Sequence, residues 1–273
     1  MAAPARADAA AGVLAVPRGH WRRSRRALAV HGFTLAALLA WWGYAQVVPP
    51  YLLPGPGAVL ERMAGFLMEA PLRAQLAASL LHVLAAIAVA FAVGTALAFS
   101  AYYLRVTRLL IDGRIVPFLN SFSAIGWLFL AILWFGMDSL TVVFAVTMIL
   151  IPFTSINIRT GLEEQDRELI EMGRSLSRDH WRGARLVLLP MLVPYVFAAL
   201  RTSFGVSWKV VLTAELFGGN AGVGYILNVA RQEFDTETVF AIIAFILLFV
   251  ALAEAVVFRP LQARLDRRYA GVR

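Results

Sequence analysis

Residues 159–190 read RTGLEEQDRELIEMGRSLSRDHWRGARLVLLP, a densely charged stretch between two strongly apolar segments. In a chain that is 60% hydrophobic, such a stretch belongs in water. It is also patterned. Leu162, Leu169, Ile170, Met172 and Leu176 recur at roughly helical spacing with charges between them, which predicts a short amphipathic helix. That helix has an apolar face and no core of its own, so it is suited to docking on a partner's groove or on a lipid surface. A second segment follows, with Ser177 or Asp179 as its candidate N-cap. Pro190 opens the next apolar run, in the first turn of a helix where proline is well tolerated.

Outward from this loop the chain is a membrane protein. Charged residues make up only 15% of its 273 residues, against about 25% in a soluble domain. Apolar runs near 27–48, 77–103, 116–135, 140–158, 191–212 and 238–258 are long enough to span a bilayer as helices, which need about 20 residues. Long continuous runs of this kind indicate helices rather than a barrel. The net charge of +8 is almost entirely arginine, with Lys209 the single lysine. Arginines cluster before the first run and after the second, fourth and sixth. The positive-inside rule then places both termini and the 159–190 loop in the cytoplasm. The expected fold is an all-α membrane protein with six transmembrane helices: a basic, disordered segment 1–26 precedes one transmembrane domain, 27–273. Because the arginines flank apolar spans, topology rather than nucleic-acid binding explains the basic balance. Cysteine is absent, which excludes disulfides and thiolate metal sites.

Between the spans lie shorter features. Pro49 to Pro56 cannot continue a helix and reads as an extended outer connector. Residues 57–73 read as an amphipathic helix along the interface, and 221–233 as a short helix near the outer surface. Trp41, Trp42 and Tyr44 suit an interfacial aromatic belt. Gly94 and Thr95 in the second span permit close helix packing. His82 lies well inside that span, either as a substrate or proton-relay group or as a hydrogen-bonded neutral side chain. Asn120, Ser121 and Ser123 make the start of the third span polar and breakable, and they either line a pathway or bond neighbouring helices. Arg201 and Lys209 are costly in lipid and must face protein, water or an interface. They are candidate pathway charges for an anion, together with Glu215. Alternatively they pair with Glu215 or Glu254, or snorkel to an interface.

Several of these motifs, in this order, resemble the permeases of ABC importers. Glu171-Met172-Gly173, then Ser177, then Val187, Leu189 and Pro190, have the spacing of that family's EAA loop, with Met172 and Gly173 for its alanines and Ser177 for its glycine. Leu53-Pro54-Gly55-Pro56, the run Ile132-Leu133-Trp134-Phe135-Gly136, and Trp208, Ala214-Glu215, Gly222, Gly224 and Tyr225 resemble the sulfonate, taurine and nitrate subgroup. That subgroup has prolines ahead of this Ile132–Gly136 run, and here Ser123 and Gly126 occupy that neighbourhood. The resemblance implies that Glu168, Glu171, Met172, Gly173, Arg174, Ser177, Leu189 and Pro190 dock on a cytoplasmic ABC ATPase dimer. It also implies a second permease subunit, an outer solute-binding protein and a bacterial inner membrane. ATP and Mg²⁺ would sit on the ATPase, and this chain would bind no cofactor. The glycine-rich segment 214–225 has no Gly-Lys-Ser/Thr ending, so it is not a phosphate loop. An intramembrane enzyme lacks its usual motifs here. An autonomous ion-coupled carrier or channel stays open as the alternative.

Overall fold

In a computed structural model the structure describes residues 19–164 and 189–269. Every regular element among them is helical. The chain forms two compact units, Met1–Pro56 and Gly57–Arg273.

In the first unit, α1 runs Gly19–Ala45 and ends in turns before Pro49-Pro50. Proline has no N–H to continue the helical ladder, which sets the limit. The helix begins earlier than the expected position 27 and ends slightly before 48. Trp41 Nε1 donates to the Pro54 carbonyl at 3.2 Å, tying the proline-rich connector back to the helix end.

In the second unit, α2 spans Pro56–Met68 and α3 spans Ala70–Tyr103. The break lies at Glu69, which is extended, and Pro71 sits in the first turn of α3. The span therefore starts at 70 rather than 77. Pro71 is the physical reason, since its fixed φ suits a first turn. With 34 residues, α3 is about 51 Å long at 1.5 Å per residue, well beyond a hydrocarbon core of about 30 Å.

The expected third span, 116–135, is not one straight helix. α4 (Arg105–Leu110), a π-helical turn (Ile111–Ile115) and α5 (Val116–Ser121) form one arm. α6 (Ala124–Phe135) forms the other, at 86° to the first. Phe122 and Ser123 are extended at the corner. Gly126 makes room for it, since a Cβ there would lie 2.8 Å from the Phe122 ring.

α7 (Ser139–Glu163) carries Pro152 and is the centre of the bundle. It packs most extensively on α3 and on α8 (Leu189–Gly218). Across its most apolar stretch 56% of α7 is buried, against 17% for α8. The contact with α3 is close because Gly94 faces it. A Cβ on Gly94 would stand 2.8 Å from Thr154 Cβ and 3.0 Å from the Ile151 carbonyl oxygen. α9 (Val223–Gln232) and α10 (Thr236–Ala253) follow. A second π turn (Glu254–Phe258) leads into α11 (Arg259–Tyr269).

Among the described residues four helices are long and apolar enough to cross a membrane, and the bent 105–135 pair makes a fifth if its arms form one crossing. The protein is an all-α, multi-pass membrane protein. The packing of α3 on α7 predicts that Gly94→Val lowers the stability of the detergent-solubilised protein by about 1–3 kcal/mol through overpacking. Gly205→Ala, where an added Cβ meets nothing within 4 Å, should leave it unchanged. Thermal unfolding of the two variants checks this.

Candidate functional site

Near its C-terminal end α8 carries Glu215, wholly buried. Its carboxylate accepts hydrogen bonds from Ser79 Oγ at 2.7 Å and from the Gly224 N–H at 2.8 Å. His82 Nδ1 lies 2.7 Å from the other oxygen. Ser79 Oγ in turn accepts from the Val223 N–H at 2.7 Å, and Gln75 Oε1 from the Gly222 N–H at 2.6 Å. Gln75, Ser79 and His82 are spaced i, i+4, i+7 on α3, so they share one helix face. Three successive N–H groups at the start of α9 have no partner inside that helix. This face and the Glu215 carboxylate satisfy all three.

The glycines are required by the same geometry. Gly222 has φ +107°, and a Cβ there would fall 2.2 Å from the Glu215 carboxylate carbon. A Cβ on Gly224 would lie 2.5 Å from the Leu212 carbonyl oxygen. The Ala214-Glu215 pair and the Gly-x-Gly are therefore two halves of one joint between α3, α8 and α9.

Two carboxylates at helix ends outside the spans add to the frame. Asp138 stands at the N-cap position of α7 and accepts from Asn220 Nδ2 at 3.1 Å. The Ser139 backbone N–H, then Asn220, hold its carboxyl below the usual range. Asp235 caps α10, accepting from the Thr238 N–H at 3.0 Å and from Thr238 Oγ1 at 2.6 Å. Burial pushes the Asp235 carboxyl up, but those two bonds and the nearby Arg62 outweigh it, and its pKa is lowered from the ordinary 3.8.

The expected pathway residues fall in three places. Asn120, Ser121 and Ser123 are exposed at the α5–α6 corner, where Ser121 Oγ donates to the Pro117 carbonyl at 2.7 Å. Glu215 lies in the buried joint. Arg201 and Lys209 line a cleft of about 600 Å³ between α8, α10 and α11. There Arg201 pairs with Glu254, Nε to Oε2 at 3.2 Å, and also donates to Gln262. Arg201 therefore both lines the cleft and pairs with Glu254.

At the far end of α7, Arg108 donates to Glu163 at 3.1 Å, and Arg159 joins both Glu163, at 2.9 Å, and Asp112. Tyr195 on α8 donates to Glu164 at 2.5 Å. This ionic cluster sits where the 159–190 loop begins. Of the expected docking residues, Glu168, Glu171, Met172, Gly173, Arg174 and Ser177 lie outside the described residues, as do the proposed caps Ser177 and Asp179. Leu189 and Pro190 form the first turn of α8. Sequence reasoning missed Gln75, Ser79 and Asp112 as site residues. The polar i, i+4, i+7 stripe on an otherwise apolar α3 was the available signal for the first two.

Residues 86–271 match the family model described as the binding-protein-dependent transport system inner membrane component. The chain belongs to that family. It is the permease component of an ABC transporter. It is 27% identical over 253 residues to the taurine transport system permease protein of Escherichia coli strain K12, covering 90% of this chain and 91% of that one. It is 28% identical over 214 residues to the putative aliphatic sulfonates transport permease protein of Bacillus subtilis strain 168, covering 76% and 75%. A shorter likeness, 31% over 115 residues, is to the riboflavin transport system permease protein of Chloroflexus aurantiacus, covering 42% and 43%.

Two outcomes follow for this permease. Glu215→Ala leaves the Gly224 N–H, Ser79 and His82 without their buried acceptor, and should lower stability by roughly 3–5 kcal/mol. Glu233→Ala, on an exposed side chain, should stay within about 0.5 kcal/mol. Thermal unfolding in one detergent compares them. Asp235 has a depressed folded-state pKa, so its stabilisation is complete above pH 3.8 and is lost as pH falls through the lower folded value. Asp235→Asn should therefore destabilise at pH 7 and flatten the loss of stability below that range, read as melting temperature against pH.

Proposed function

We propose that this permease, with a second permease subunit in a homodimer, forms the membrane pathway of an ATP-driven importer for a small anionic solute of the sulfonate, taurine or nitrate kind. The observation that carries the reading is the family match, because residues 86–271 include the whole 159–190 loop. Relatives named for taurine and aliphatic sulfonates support the solute class. In this reading residues 27–273 act as one permease domain of six spans, with both termini in the cytoplasm of a bacterial cell and the domain in its inner membrane.

The 159–190 loop docks on a cytoplasmic ABC ATPase dimer through Glu168, Glu171, Met172, Gly173, Arg174, Ser177, Leu189 and Pro190. ATP and Mg²⁺ bind there and not to this chain. An outer solute-binding protein delivers the solute. Closure of the ATPase pair brings the two docking loops together, and the spans switch between inward-open and outward-open states. The ionic cluster of Arg108, Asp112, Arg159 and Glu163 stiffens the end of α7 where that motion enters. Asn120, Ser121 and Ser123 line the pathway at the α5–α6 corner, and Arg201 and Lys209 at the cleft. We assign Glu215 to holding the wall rather than to lining it, since its carboxylate is wholly buried and bonded.

The docking assignment predicts that the tagged wild-type chain, gently extracted from its native host, co-purifies with a soluble ATPase. Glu171→Arg should remove that partner by mass spectrometry while the permease still reaches the membrane. Retention of the ATPase in wild-type amount by Glu171→Arg would refute the assignment.

A further inference from the structure

The cleft between α8, α10 and α11 treats its two cations differently. Arg201 is half-buried and neutralised by Glu254, with Gln262 taking a further donor. Lys209 is exposed to the same cleft, and among the described residues no carboxylate pairs with it. An unpaired ammonium in an apolar helix is costly in lipid, so this end of the cleft requires water or a counter-ion.

The other lining charge is at the opposite end. Phe258 packs on Phe197 at 6.1 Å, and Phe249 on Trp208 at 5.0 Å. Numbers therefore rise on α8 as they fall along α10 and its π turn, and the two run antiparallel. Lys209 stands at the level of Phe249. Asp266 lies 17 residues further along α10–α11, about 25 Å at 1.5 Å per residue, beyond a Debye length of roughly 8–10 Å. The cleft thus runs from an acidic end, through a neutral ion pair, to a cationic end.

One row of its α8 wall, Ala198, Thr202, Gly205 and Lys209 at spacings of three or four, is small or polar, and Pro194, Phe197 and Val206 flank it. A Cβ on Gly205 would meet nothing within 4 Å. About 600 Å³ is the size of a small-molecule site.

We propose that this cleft is an aqueous vestibule for a small anion, in which Lys209 is the selecting charge and the Arg201–Glu254 pair is a neutral clasp. The solute class it takes is a monovalent organic anion such as a sulfonate or carboxylate, held by one ammonium group beside the small Thr202–Gly205 wall. This rests on the importer reading for its direction and partners, but the local electrostatics belong to this chain alone.

The chain has no cysteine, so a single introduced thiol reports its own surroundings. Gly205→Cys, one turn from Lys209, is placed in the full-length permease in native membrane fragments open on both sides. Its reaction rate is measured with a methanethiosulfonate bearing an ethanesulfonate group, and with one bearing a trimethylammonium group. The thiol must be in water to ionise and react. The ratio of the sulfonate rate to the ammonium rate should fall about tenfold when Lys209→Gln is added, because a charged cleft focuses counter-ions by that order. Lys209→Arg should restore the ratio. Thr202→Cys gives the same reading if Gly205→Cys lowers the yield. A fall of less than about threefold overturns the proposal, as does failure of both thiols to react with either probe, which would place lipid or a second subunit against this wall. Absence of an ATPase partner in co-purification would sink the importer reading and leave this ratio standing. An unchanged ratio sinks the vestibule alone.

Discussion

A buried carboxylate must find donors, and in this permease that requirement organises one end of the bundle. Glu215 is wholly buried and accepts from Ser79 and the Gly224 N–H. An isolated carboxylate there would be prohibitively costly. The chain meets the cost by bringing three elements to one point: the polar face of α3, the end of α8 and the start of α9. Each has its own unmet polar group, and each is satisfied by the others. The joint also fixes composition. Gly222 and Gly224 cannot carry a side chain without striking Glu215 or the α8 backbone. The short α9 then follows as a braced surface element rather than a free loop.

The remaining charges obey the same rule with a different device. Both π-helical turns among the described residues carry an acidic residue that meets an arginine on a neighbouring helix: Asp112 meets Arg159, and Glu254 meets Arg201. A π turn inserts a residue into the helical ladder and re-aims the side chains after it, and such turns often occur at functional positions. Here each accompanies an ion pair that cancels a charge at or near a span. Lys209 is outside this pattern, which is why the cleft has a polarity at all.

Much of the fold was legible because hydropathy is a strong signal. The apolar runs folded as helix, the third in two arms broken at Phe122–Ser123, and the 221–233 segment became α9. Boundaries were less legible, even where proline set them. Pro71, embedded in an alanine-rich run, moved the start of α3 to residue 70. The 86° corner at Phe122–Ser123 was visible as polar, breakable sequence, but its angle was not, because extended backbone at two residues depends on what packs around them. The site was less legible. Glu215, Gly222 and Gly224 stood out individually, yet their partners on α3 lie some 130–150 residues away in sequence, as the Ser79–Glu215 separation of 136 shows. Whether Arg201 was a free charge or one of a pair likewise depended on a tertiary contact with Glu254. Periodicity carries no information on such pairings.

Driving force is the claim on which the rest of the functional account stands, and uptake into proteoliposomes tests it most directly. The permease is reconstituted with its co-purifying ATPase and solute-binding protein, or alone, and accumulation of labelled taurine and methanesulfonate is followed. The account predicts uptake that requires internal or external ATP on the ATPase face together with the binding protein, and none from an ion gradient across vesicles holding the permease alone. Accumulation by the permease alone, driven by a proton or sodium gradient, would contradict it and make the chain an autonomous carrier.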